Sequence, residues 1–227
     1  MKPEKFTKKL IRKSQEIANN ALAFTKDKSF DKLTKEYNFN GYKRIYLVHI
    51  RKTGGTSLNN MFLSLSGEDP SQLYTQLAQS SDHCLNRNGF VYVGWNLRTI
   101  NKGNYFYAFS HIPFHELSLP DKTFTVACFR DPVKRVMSHY NMLMDFYLNE
   151  VDHPCMETEG KWLGKDFNDF LSNIPRQHLQ NQLYMFSPNF DINEAVNNVQ
   201  KLDNFFYSSD FNQGIDKISQ KTRGYAS

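Results

Sequence analysis

Two short apolar runs, "RIYLVHI" at 44–50 and "TFTVACF" at 123–129, constrain the fold more than any other feature of the chain. Neither shows the strict polar alternation of a half-exposed strand, and each gives way abruptly to a basic residue. Runs of this kind suit strands buried on both faces, as in a sheet covered by helices on either side. The segments that follow agree with this. After the first run come "RKTGGTS" and an apolar-periodic stretch from Leu58 to Leu65; after the second comes "RDPVKRVMSHYNMLMDF", with Pro132 suited to the first turn of a helix. Strand, loop and helix in repeated order predict an α/β domain.

Further elements can be placed around these. "GFVYVGW", "GNYFYAFSHI" and "NFFYSS" read as strands, and "DFNDFLSNI", "QHLQNQLYMF", "DINEAVNNVQKL" and "FNQGIDKISQK" as helices. Asn-Gly in "NFNGYK" marks a turn ahead of the first strand. Residues 150–164 are polar, contain Pro154 and two glycines, and are expected to form a surface loop. Phe6, Leu10, Ile17, Leu22 and Phe24 follow a loose helical spacing between charges, which gives an N-terminal basic helical segment over 1–40 and an α/β domain over 41–227.

Charge is concentrated at the N-terminus. Residues 1–36 hold ten Lys/Arg against five Asp/Glu, and the remainder carries eighteen of each sign. The net +5 therefore belongs to that segment, which argues against a broad nucleic-acid-binding face. The segment reads either as a solvated peripheral helix or as a contact for an anionic membrane or acidic partner. Cys84, Cys128 and Cys155 are odd in number and match no zinc spacing, and no secretory segment precedes them. No apolar stretch reaches the ~18–20 residues of a membrane span. A cytoplasmic protein is the expectation.

The loop "RKTGGTS" carries the first chemistry. Its two glycines allow a tight turn and close approach of the backbone, so that amides and the next helix N-terminus converge on one point. Arg51 and Lys52 are basic there, and Thr53, Thr56 and Ser57 offer hydroxyls. Such a nest suits a phosphate or sulfate oxyanion. It is not a nucleoside-triphosphatase Walker loop, because the lysine precedes the glycines, and no G-x-G-x-x-G fingerprint occurs.

"VHIRKTGGTSL" resembles the 5′-phosphosulfate loop H-I-P-K-T-G-G-T-S of the carbohydrate-type sulfotransferases (sulfotransferase family 2, heparan 2-O-like), with Arg51 in place of proline. "FRDPVKRVMSHY" resembles the same family's 3′-phosphate element R-D-P-x-x-R-x-x-S-x-Y, and "AFSHIPF" its G-H-x-P-F stretch, with Ser110 in place of glycine. The resemblance spans roughly residues 44–220 and its C-terminal part is abbreviated. It implies a P-loop-like three-layer sandwich with a central, mostly parallel sheet. Its implied co-substrate is 3′-phosphoadenosine-5′-phosphosulfate (PAPS), gripped by Lys52, Gly54, Gly55, Thr56 and Ser57 at the 5′ end and by Arg130 and Ser138 at the 3′-phosphate. Arg130 can grip phosphate in bidentate fashion, and Ser138 lies about two helical turns on.

His111 falls on the family's catalytic-base position, where an imidazole can take the proton of an attacking hydroxyl. His49 reads as a support for the loop, and Pro113 argues against a His111–His115 metal pair. No metal is expected. Gln182 in "LQNQLYMF" is read either as reaching the substrate or as an ordinary polar helix position. Tyr105, Phe106, Tyr107, Phe109 and Phe114 are either core or the floor of an acceptor pocket. The implied reaction is sulfuryl transfer from PAPS to a hydroxyl or amine of a carbohydrate or small natural product. Two alternatives stand beside it: a nucleotide kinase or NTPase on a related fold, and a PAPS-binding relative without catalysis.

Overall fold

The computed structural model describes residues 37–222, so the basic helical segment expected over 1–36 lies outside the described residues. Six strands form one sheet in the order β2-β3-β4-β1-β5-β6. They are β1 (Arg44–Val48), β2 (Cys84–Arg87), β3 (Phe90–Gly94), β4 (Tyr107–Ser110), β5 (Thr123–Phe129) and β6 (Asn204–Tyr207). All neighbouring pairs are parallel except β2–β3, an antiparallel hairpin at one edge. The two runs that dominate the sequence are β1 and β5, and they lie side by side, Val48 level with Ala127.

Side chains alternate across the sheet with period two. Ile45, Leu47, Tyr107, Phe109, Phe124, Val126 and Cys128 enter one buried cluster, with Leu58 and Phe62 of α1 (Gly55–Leu63) and Leu73 and Leu77 of α2 (Pro70–Gln79). Tyr46, Val48, Ala108 and Ala127 enter the cluster on the other face. There they meet Ile100 of α3 (Leu97–Lys102) and Ala195 of α9 (Ile192–Val199). Helices thus cover both faces, which is the three-layer α/β arrangement expected. Tyr105, Phe106, Tyr107 and Phe109 are buried in these layers as core, and Phe114 packs half-buried against the second cluster.

Before β1 the chain turns through Asn40 and Gly41, both with positive φ, and Phe39 and Tyr42 exchange two backbone hydrogen bonds of 3.0 Å. Tyr37 and Phe39 are buried in the first cluster, so the packed α/β unit includes them.

A third apolar cluster stands apart from the sheet faces. Val136 and Leu143 of α4 (Pro132–Leu148) pack with Cys155, Trp162, Leu163 and Phe170. This corrects the surface loop expected over 150–164. Residues Pro154–Thr158 form a short helix, α5, followed by a 3-10 turn at Gly160–Trp162. Cys155, Glu159, Trp162 and Leu163 are buried. The segment reads as polar because its few apolar side chains are spaced irregularly among charges. The chain continues through α6 (Phe167–Asn173), α7 (Arg176–Leu179) and α8 (Asn181–Tyr184), and ends in α10 (Phe211–Lys221).

Helix α10 packs on β6 through Gly214, where an added Cβ would lie 2.2 Å from the Phe206 ring. Glycine to alanine inside a helix ordinarily gains about 1 kcal/mol. Here the overlap with a buried ring outweighs that gain. Gly214→Ala is expected to lower stability by about 1–3 kcal/mol, read as a lower urea midpoint at unchanged slope.

Candidate active site

β1 and β4 end at one level, Val48 beside Ser110, and β5 on the other side of β1 runs two residues further, from Ala127 beside Val48 to Phe129. In open α/β sheets the crevice outside the carboxyl ends of the strands is where ligands bind. The residues just past those ends are His49–Gly54 after β1, His111 after β4 and Arg130 after β5. They meet at a cleft of about 390 Å³ lined by His49, Arg51, Lys52, Gly54, Gly55, Thr56, Tyr74, His111, Arg130, Ser138, Met142 and His153.

The loop is folded by its own geometry. Lys52 (φ 67°) and Gly54 (φ 105°) both take left-handed backbone conformations, the second as the cap of α1. Gly55 is required for a different reason: a Cβ there would fall 1.9 Å from Nε2 of His49. Two hydroxyls of the loop do not join the lining. That of Thr53 is buried and donates to the Ile50 carbonyl at 2.9 Å, bracing the loop from within, and Ser57 lies exposed in the first turn of α1.

His49 and His111 sit ring to ring, 4.4 Å between centroids. His111 Nδ1 lies 2.6 Å from the His49 carbonyl oxygen. A carbonyl only accepts, so Nδ1 carries the proton and Nε2 is left as the basic nitrogen. Burial lowers the His111 pKa to about 4, the His49 carbonyl opposing the shift and Arg51 adding to it. His49 is held well below the ordinary imidazole value by burial, then by His111 and Arg51. Both rings are neutral at pH 7. Ser110, where the resembling family has glycine, shares a 2.7 Å hydrogen bond with Tyr46 and accepts from the Ile112 amide at 3.1 Å. Its extra hydroxyl is thereby accommodated without entering the cleft.

Arg130 is fixed at its backbone. Gln182 accepts from its N–H and donates to its carbonyl, both at 2.8 Å, while the guanidinium donates to the Lys52 carbonyl at 3.3 Å. Gln182 is therefore neither a cleft residue nor an idle helix position; it pins the strand end that aims Arg130. Asp131 caps α4 by accepting from the Lys134 amide at 2.8 Å, with Pro132 in the first turn. One turn on, Arg135 is wholly buried and donates to the carbonyls of His178 at 2.7 Å and Leu179 at 3.2 Å.

Three cations line the cleft, Arg51, Lys52 and Arg130. Burial lowers the Lys52 pKa, with Arg51 and Arg130 adding to the shift. Arg51 forms an ion pair with Glu159, whose other oxygen accepts from His139 Nε2 at 2.8 Å. Burial alone would raise the Glu159 pKa, but the His139 hydrogen bond and the Arg51 charge outweigh it and hold it at about 2. Glu159 behind the cleft, and Tyr74, Met142 and His153 in its lining, are the site residues that sequence reading missed. Tyr74 could have been found, since Asp69 and Pro70 form a helix start and Leu73 and Leu77 share a face. Glu159 could not, because its partners lie 108 and 20 residues away in the chain.

A polar cleft at the switch of a parallel sheet, with a glycine loop, three cations and a neutral histidine pair, defines a site for a multiply anionic ligand. Comparison with models of known families matches residues 35–222 to the Sulfotransferase family. The match covers most of the chain, which therefore belongs to that family and is a transferase acting in sulfotransfer. No curated protein and no solved structure matched the chain significantly. Among the described residues no helix is long and apolar enough to cross a membrane.

Glu159 is buried but Arg51 is only half-buried in the cleft wall, so removing the carboxylate costs less than opening a fully buried pair, about 1–2 kcal/mol. Glu159→Gln should lower stability near pH 7 by about that amount. The sign with pH follows from the depressed pKa. The carboxylate's contribution is present above its ordinary value of 4.5 and is lost as pH falls toward about 2. Urea titrations between pH 6 and pH 3 should show a steeper acid loss in the wild type than in Glu159→Gln; parallel curves would exclude the assignment.

Proposed function

We propose that the chain transfers the sulfuryl group of PAPS to a hydroxyl or amine acceptor, a carbohydrate or a small natural product, and releases adenosine 3′,5′-bisphosphate. The observation that carries this is the convergence of the loop, His111, Arg130 and Ser138 on one cleft from three strand ends and a helix. The loop amides of Gly54, Gly55 and Thr56, with Lys52 and Arg51, would hold the 5′-phosphosulfate. Arg130 and Ser138 would hold the 3′-phosphate, the feature that separates PAPS from ATP-like nucleotides.

In the reaction the acceptor oxygen or nitrogen forms a bond to sulfur, and the bond from sulfur to the bridging 5′-phosphate oxygen breaks. The electron pair of the broken bond stays on that oxygen, and the acceptor's proton goes to His111 Nε2. Charge grows on the leaving oxygen, where Lys52 and the loop amides stabilise it. The remainder of catalysis is positioning of two reactants in line. The Nδ1 hydrogen bond to the His49 carbonyl supports His111 as base, because it leaves the right nitrogen free. The anionic donor beside the ring would raise the His111 pKa. A cytoplasmic location fits the three free, buried cysteines.

Calorimetric titration should show micromolar binding of adenosine 3′,5′-bisphosphate and far weaker binding of 5′-AMP and ADP. Equal or tighter ADP binding would instead favour a nucleotide kinase. With PAPS saturating, Lys52→Ala is expected to cut turnover by about a hundredfold or more. His111→Ala should spare bisphosphate affinity within about threefold and lose transfer. Because His111 must be neutral to accept the proton, the wild-type rate rises with pH through the imidazole pKa. Retention of that limb in His111→Gln would remove His111 as base, whereas bisphosphate binding with no turnover on any acceptor would mark a non-catalytic relative.

A further inference from the structure

Neither oxygen of Glu159 is idle. One is paired with Arg51, which lines the cleft beside Lys52, and the other accepts from His139, whose side chain is wholly buried. His139 is the next residue after Ser138 on α4, and the two side chains leave the helix on different sides, Ser138 to the cleft and His139 to the interior. A continuous chain of contacts therefore runs from the loop after β1, through Arg51, Glu159 and His139, to the helix turn that presents Ser138. The Glu159 backbone is tied to two members of the third cluster, its N–H donating to the Cys155 carbonyl at 2.7 Å and its carbonyl accepting from the Trp162 amide at 2.9 Å.

A buried ion pair is a poor device for stability, since desolvating two charges consumes most of what their attraction returns. Its value lies in fixing geometry. An unpaired arginine has rotamer entropy to lose when it engages an anion. One already clamped in place has lost that freedom before the ligand arrives, which raises affinity by preorganisation.

We infer that Glu159 is a positioning residue of the donor site: it clamps Arg51 beside Lys52 and, through His139, ties the loop at the 5′ end of the donor to the helix that carries Ser138 at the 3′ end. The inference rests on the donor reading above. The clamp sets the separation of the two anion-binding halves, so it matters most for a ligand that spans both. A ligand engaging the 3′ half alone gains little from it.

Adenosine 3′,5′-bisphosphate spans both halves, while 3′-AMP and 5′-AMP each report on one. Calorimetric titration of the full chain with all three would be made for wild type, Glu159→Gln, Arg51→Met and the double variant, with thermal melts alongside. Glu159→Gln is expected to lose about tenfold in bisphosphate affinity while 3′-AMP changes by less than about threefold. Arg51→Met should show the same split, and the double variant should be no weaker than Arg51→Met within about threefold, because Glu159 acts through Arg51. The double variant carries no unpaired buried guanidinium, so it keeps the comparison available if Glu159→Gln folds poorly. Bisphosphate affinity unchanged in Glu159→Gln, an equal loss for 3′-AMP, or additive losses in the double variant would each overturn the clamp alone. Failure of the wild type to prefer bisphosphate over ADP and both monophosphates would overturn the donor reading, and the clamp with it.

Discussion

Everything in this molecule depends on β1 being sandwiched between two parallel neighbours in fixed register, β4 ending level with it and β5 two residues beyond. A strand buried on both faces and both edges has no freedom of register, since a slip by one residue would exchange Ile45 and Leu47 with Tyr46 and Val48 across the sheet. Fixed register fixes where the chain leaves the sheet. His49, His111 and Arg130 are neighbours for that reason alone, although 62 residues separate the two histidines in sequence. The site needs no dedicated scaffold beyond this alignment of strand ends.

The cleft is electrostatically unfinished in a way that suits a polyanion. Arg51, Lys52 and Arg130 line it, and Glu159, the carboxylate paired with Arg51, is set back behind it. The nearby histidines add no charge, because burial keeps His49 and His111 in their neutral forms. Positive charge is thus provided by arginine and lysine side chains, while proton transfer is left to a group that holds none at rest. Separating the two tasks avoids a conflict, since a protonated His111 would attract the donor but could not take a proton from the acceptor.

Much of the sheet and the main parts of the cleft were legible in the sequence, for reasons visible in particular residues. β5 coincides with "TFTVACF" because a β-branched and apolar run without charge, its two threonines included, suits burial on both faces. β1 stops two residues short of "RIYLVHI": Ile50 is buried, but its amide bonds to the Val48 carbonyl within the loop and not to a neighbouring strand. Apolarity alone does not show where a ladder ends. The segment around Glu159 was illegible because its burial is created by partners remote in sequence; a carboxylate among glycines and charges reads as solvent-facing until Arg51 and His139 are placed against it. Gln182 was ambiguous on the same ground, as its partner is the backbone of a strand end and carries no side-chain signature.

The contact between Gly55 and the His49 ring has a consequence for how such a loop can vary. Gly55 is not confined to glycine by its backbone angle, as Gly54 is, but by an imidazole that occupies the space of a methyl group. The two positions therefore form a single unit of inheritance. A chain that replaces His49 by a small residue frees position 55 to accept alanine, and a chain that retains the ring does not. Drift at one site opens or closes the path at the other, so this loop changes by paired steps and resists single ones.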